Sequence, residues 1–346
     1  MREEGWGGPR PAALVGDAGG KCGEKARVIS EGGDGEVEYE SDLGVTQRVS
    51  ADDVARCLAR TKLDGAPMTA VAVPGGASDT WIVDIADGDL VELWSEARDA
   101  LAGLRLYPVA VTRWGDPDWQ QADVFSRFYY GRASDPAPAA VIARSEVLTV
   151  DKALHRFTLV DNWAKEHWGD VVAHHLALTR RYFDDAPDPD DLAEIPAGEE
   201  LVLERRLLEW EEAMRPTRPP DVSESFSWYE PRPAEPVGLA LIPSIAPGHA
   251  AAFLSFYGAE GDGKHEALTR LMGHWHERFG AQIVASWGTM LQFVAARPPA
   301  TLDEAFELAA QHVRVAPCTT MLPGEGVRHL ARHLWGGRKW FLHERP

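Results

Sequence analysis

The sequence predicts an α+β protein of two domains, each a small mixed sheet packed with helices. Three observations carry that expectation. A β-β-α-β pattern runs through residues 69–111, an amphipathic helix at 265–280 gives way to period-2 alternation, and a proline-dense stretch lies between the two regions. At 346 residues and 45% hydrophobic content, the chain can fill two cores.

Residues 1–48 are rich in Gly and acid with little apolar periodicity, which reads as a disordered tail or as a start assigned too far upstream. The first domain, 49–215, opens with Ser50-Ala-Asp-Asp53, an N-cap for a short helix through Val54, Cys57 and Leu58. Thr69–Val73 and Trp81–Ile85 read as strands about a Pro74-Gly75-Gly76 turn. Leu90, Leu93, Trp94, Ala97, Leu101 and Leu104 mark an amphipathic helix, and Tyr107–Val111 a third strand. From 123 to 183 the chain reads as helical and aromatic, with Trp163 and Trp168 less clearly placed than the rest. The acidic, proline-bearing segment 184–191 is an exposed loop, and 199–214 is a helix. Prolines thicken over 216–236, the expected domain linker.

The second domain, 237–346, begins with the strand Val237–Ile242 and a short helix or turn near Ala250–Tyr257. Leu268, Leu271, Met272, Trp275 and Phe279 then form one apolar stripe, with Glu266 and Arg270 spaced as an i,i+4 ion pair on the polar face. Burying such a stripe contributes on the order of 10 kcal/mol before chain entropy is subtracted. Gly280 sits at a C-cap position. A hairpin follows, turning at Trp287-Gly288-Thr289 and stopped by Arg297-Pro298-Pro299. Thr301 to Glu304 reads as a capping box, Val327, Leu330, Ala331 and Leu334 mark a last helix, and Trp340-Phe341-Leu342 closes the sheet.

Charge excludes some functions. The net charge is −19; residues 238–346 hold ten basic and nine acidic residues, so the 25 basic and 45 acidic residues of 1–237 carry −20. Such a body repels phosphate backbones, so nucleic-acid binding is not expected, whereas a basic protein partner is compatible with it. No stretch has the length and apolarity of a membrane span, and no basic-then-apolar signal peptide is present. Cys22, Cys57 and Cys318 form no disulfide framework and no metal knuckle, as expected of reduced thiols in the cytoplasm.

The search for catalytic, cofactor and metal residues assigns none. Eight of the twelve histidines lie in 238–346. His274 and His276 are two residues apart on a helix and point about 200° apart, so they cannot share an ion. His329 and His333 share a face at i,i+4, the spacing of a helical zinc pair, but Arg328 and Arg332 crowd that surface. The expected reading is a solvated polar face, with Cys318 or His343 needed as a further ligand for zinc. Gly258 to Lys264 and Val73-Pro-Gly-Gly-Ala77 lack phosphate-loop spacing and read as turns. The acidic loop lacks the glycine of a calcium loop, no nucleophile elbow exists, and Cys318, near His312 in sequence, reads as a small core residue.

Trp275-His-Glu-Arg-Phe-Gly-Ala281, Arg297-Pro-Pro, the Glu304-Ala-Phe-Glu-Leu-Ala-Ala310 helix and Trp340-Phe341 together resemble the bacterial domain of unknown function 4253 family over about 237–346. That resemblance implies kinship of fold and no established activity. Two family features differ here: a Cys-Pro-Asp motif reads Val315-Ala-Pro-Cys318, and a terminal Asp reads Glu344 after Phe341-Leu-His. If those groups form a site in relatives, this chain has lost or rebuilt it.

The expected function is protein–protein interaction in a bacterial cytoplasm, the acidic part binding a basic partner such as a cationic toxin or nuclease. The alternative is a metal- or histidine-dependent hydrolase or transferase in the second domain. A third is a degenerate member with a scaffold role.

Overall fold

The computed structural model describes residues 49–72, 79–85, 88–112, 138–157, 163–214, 222–230, 237–244 and 246–345. The expected tail, the turn at 74–76 and the aromatic stretch around Phe125–Tyr130 lie outside them. Helix α1 (Ala51–Leu58) starts as its cap predicts: the Ser50 hydroxyl accepts the Asp53 N–H, and the Asp53 carboxylate accepts the Ser50 N–H. Strands β1 (Met68–Ala72) and β2 (Asp79–Ile85) pair antiparallel, followed by α2 (Leu90–Leu101) and β3 (Tyr107–Thr112). Helices α3 (Pro138–Glu146), α4 (Val150–His155), α5 (Trp163–Glu166), α6 (Trp168–Phe183) and α7 (Glu200–Met214) come next.

Strand β4 (Val237–Ile242) leads to a 3₁₀ segment at Pro247–Phe253 and to the long helix α8 (Lys264–Phe279). Gly280 ends α8 at φ 62°, a left-handed conformation that glycine enters without steric cost. The hairpin β5 (Ala281–Ser286) and β6 (Met290–Ala295) follows, then α9 (Leu302–Val315), α10 (Cys318–Met321), α11 (Val327–Leu334) and β7 (Lys339–His343).

The expected pair of sheets is one sheet. Among the described residues it has seven strands in the order β1-β2-β4-β3-β5-β6-β7, with β3 and β5 parallel and every other neighbour antiparallel. The mixed α+β class holds, but the boundary at 216–236 does not divide two cores. Strand β4, from beyond the proline-rich stretch, lies between β2 and β3, and the described residues fall in one compact unit. Nor is that stretch a free linker throughout: Val222 and Phe226 are buried, and the Trp228 indole N–H donates to the Trp340 carbonyl at 2.9 Å. Proline density signals an irregular backbone; it does not say whether that backbone runs through solvent or over a core.

Period-2 alternation sorts the strand residues onto two faces. Leu239 and Leu241 of β4 join Val54, Leu58, Leu93 and Leu101 of α1 and α2. Ile242, Ile283 and Phe293 pack with Leu271, Trp275 and Phe279 of α8 and with α9 and α11. The apolar stripe of α8 is thus buried as its spacing predicts. Its polar side differs: Glu266 and Arg270 do not pair with each other, because Glu266 lies 3.3 Å from Arg144 and the Arg270 Nε–H donates to the Leu148 carbonyl. Tertiary partners displace a local pair that is worth only a few tenths of a kcal/mol.

A consequence is testable. A fragment of 237–346 lacks β3, so β4 and β5 both lose the strand that joins them, and it is expected to be insoluble or unfolded by circular dichroism. Cooperative thermal unfolding of that fragment would show that this region can repair its own sheet.

Candidate functional site: a buried charge cluster

The most distinctive site is a set of charges inside the protein, between α6, α7 and α11. Helix α11 has Val327, Leu330, Ala331 and Leu334 on its apolar side, as its spacing predicts, but its polar side is buried too. Arg328 and His329 have no exposed surface and Arg332 has 7%. The expectation of a solvated face is therefore overturned. Nothing within the helix reveals this for Arg328 and Arg332, because the carboxylates that cover them lie more than a hundred positions earlier.

Arg328 is held on every side. Its Nε–H donates to Glu211 at 2.7 Å and its Nη1–H to Glu204 at 2.7 Å, while Nη2 donates to the His175 carbonyl and the Thr179 hydroxyl. Four donors of a fixed planar fork are thereby matched. Arg332 bridges Glu211 at 3.2 Å and the half-exposed Glu212. The Glu204 carboxylate also accepts the N–H groups of Val327 and Arg328, at 3.1 and 3.2 Å, and so caps α11 from another helix. Gly326, at the N-cap, has no capping side chain; a Cβ there would collide with Glu204 Oε1. Glycine is required for that approach.

His175, on α6, has Nδ1 3.0 Å from Glu204 and Nε2 2.8 Å from Glu200. Burial opposes its charged form, but the Glu204 charge and the hydrogen bonds to both carboxylates outweigh that and push its pKa up to about 9. Its contribution to stability is therefore full below about pH 6.5 and is lost as pH rises through about 9. Glu204 is fully buried, which raises a carboxyl pKa, yet Arg328 and His175 hold it well below the usual carboxylate range. Next to this lies Glu325, which accepts from the Tyr182 hydroxyl at 2.6 Å and from Ser225 at 3.0 Å, with His329 Nδ1 2.8 Å from its other oxygen. Burial works against its charge, but the hydrogen bonds from His329 and Tyr182 bring its pKa down to about 2.

The His329 and His333 pair has separate duties. His329 packs against the Tyr182 ring at 4.7 Å, whereas His333 Nε2 lies 3.2 Å from the Lys339 carbonyl and its ring beside Phe226. His274 and His276 remain apart on α8, with His276 Nδ1 3.0 Å from the Ala281 carbonyl. His312, on α9, is wholly buried beside Trp275 and Trp340, and burial, with a smaller effect of His333, brings its pKa down to about 3.

Cys318 is half-buried, not a core residue, at the start of α10. Its N–H donates to Glu344 Oε2 at 3.2 Å, and Sγ lies 3.7 Å from Glu344 Oε1. Cys318 and Glu344, 26 residues apart in the chain, therefore meet. Burial pushes the Cys318 thiol up, with Glu344 reinforcing it, so at neutral pH the sulfur keeps its proton and is a poor nucleophile. The glycine loop before α8 turns through Gly261 and Gly263 at positive φ, and Val73–Ala77 lies outside the described residues. Trp163 is 56% exposed and stacks on His167, while Trp168 packs partly against the small core of α6 and α7. Among the described residues, no helix is long and apolar enough to cross a membrane.

These features define an α+β protein in which a helical pair is fastened by buried ions to α11, a helix that packs on the mixed sheet. Residues 238–343, the C-terminal third of the chain, match the family model described as "Domain of unknown function (DUF4253)". No curated protein and no solved structure matches the chain. The matched region contains β4 to β7, and β3, from outside it, fills the place between β4 and β5.

Proposed function

We propose that this chain is a cytoplasmic bacterial protein that acts by protein–protein contact, its acidic helical region meeting a basic partner such as a cationic toxin or nuclease. The observation that carries this reading is the run from 184 to 200. Asp184, Asp185, Asp188, Asp190, Asp191, Glu194, Glu199 and Glu200 are all exposed, and no Lys or Arg occurs within it. Of the eight, Glu200 is engaged with His175. A patch of one sign focuses field lines and speeds encounter with an opposite charge more than it raises affinity. The exposed Leu201 and Val202 at the start of α7, and the exposed Trp163 at the start of α5, supply apolar surface of the kind that anchors contacts.

The experiment is a pull-down of tagged full-length protein from its host, followed by kinetics with the captured protein. With Asp188→Asn, Asp190→Asn and Asp191→Asn combined, the association rate is expected to fall about tenfold at low salt and to lose much of its salt dependence. Unchanged association kinetics and salt dependence would sink the proposal.

A further inference from the structure

Helices α6 and α7, with the segment that joins them, carry a small apolar core of their own, Val171, Leu176, Leu192, Leu203 and Leu207, separate from the large cluster on the sheet. Leu208 reaches that large cluster, with Tyr182 partly buried against it. The Tyr182 ring also lies on His329, and Arg205 pairs with Asp303 and covers the Phe306 ring of α9. The rest of the contact with α11 is charge: Arg328 on Glu204 and Glu211, Arg332 on Glu211 and Glu212. We propose that α6 and α7 form an arm that lifts from α11 as one body, with the buried ion cluster as its catch, and that the closed arm masks a basic helix face.

The physical argument lies in how such an interface opens. Parting an apolar interface exposes surface that water disfavours, with nothing returned. Parting an ion-paired interface gives both partners back their hydration, which nearly cancels the attraction lost. The same cluster is therefore severe to mutate on one side and mild to open as a whole. The arm's own apolar core stays intact on opening, so it moves as a unit and does not melt turn by turn. Opening bares Arg328, His329 and Arg332 together, because i, i+1 and i+4 lie on one side of a helix. This holds whether or not 184–200 meets a partner.

Hydrogen exchange on the full chain at pH 7, corrected for intrinsic rates, tests it. The amides of α6 and α7 are expected to share one protection level, about tenfold or more below that of β3 and β4. Protection equal to that of the sheet, or protection that varies turn by turn along the two helices, overturns the proposal. The combined variant Glu204→Leu, Glu211→Leu and Arg328→Met replaces the catch by an apolar contact and is expected to bring the arm's protection up to that of the sheet. A folded variant with unchanged or faster arm exchange overturns it as well. If that variant does not fold, the comparison on the unaltered protein decides alone.

Discussion

Arg328→Met is expected to lower the unfolding free energy by about 3–5 kcal/mol in urea denaturation at neutral pH, as much as a severe core truncation costs. Arg328 and both its carboxylate partners have no exposed side-chain surface. Removing the guanidinium leaves Glu204 and Glu211 buried; Arg332 and His175 remain beside them, but the Nε–H and Nη donors that satisfied them are gone. Arg332→Met is expected to cost less, because one of its partners, Glu212, is partly exposed and can turn to water. Equal and small losses for both variants would mean that water reaches the cluster. The magnitude measures the penalty of stranding buried charge, not the net worth of the ion pairs, and for that reason a deep loss here is compatible with an arm that opens readily as a whole.

The second large effect is acid sensitivity arising from His312. Its imidazole is fully buried between two tryptophans, and both ring nitrogens lack a hydrogen-bond partner among the described residues. Burial lowers its pKa from 6.5 to about 3. Below pH 6.5 the unfolded chain takes up a proton that the folded chain refuses, so stability falls as pH falls, down to about pH 3. At 1.36 kcal/mol per pH unit, this residue removes about 2 kcal/mol by pH 5 and on the order of 4–5 kcal/mol by pH 3. His312→Leu, of similar volume and without a proton to gain, is expected to unfold later than the parent protein at pH 5 and to show a shallower fall of Tm between pH 7 and 4. Parallel pH profiles for the two proteins would show that His312 is hydrated in the folded state.

Most of the secondary structure was legible in the sequence. The Ser50 cap, the stripe of α8, the switch at Gly280, the hairpin and the Thr301 start of α9 all stand where local spacing puts them. The DUF4253 region was legible from the residues around Trp275, Arg297 and Trp340. The pairing of strands was not. Alternation says that Val237–Ile242 is a strand and gives no clue that it lies between β2 and β3, since a ladder is formed by backbone groups common to every residue.

The cluster shows the same division more sharply. Arg328, His329 and Arg332 on one helical face were visible, and the expectation that they meet water rested on the ordinary fate of exposed charges. What overturned it is a set of glutamates on α7 spaced at 204 and 211, two turns apart on one side of that helix and so able to face α11 together. That spacing was readable, but it is also the spacing of an ordinary polar stripe. Sequence by itself therefore determined most of the described elements, their caps, the acidic balance and the family likeness of the C-terminal third, because these depend on residues within a few turns of one another. Only the tertiary structure decided that there is one sheet and that the charges of α11 are buried. A charge carries no record of its partner, and whether it meets water or a carboxylate a hundred residues away is settled when the chain packs.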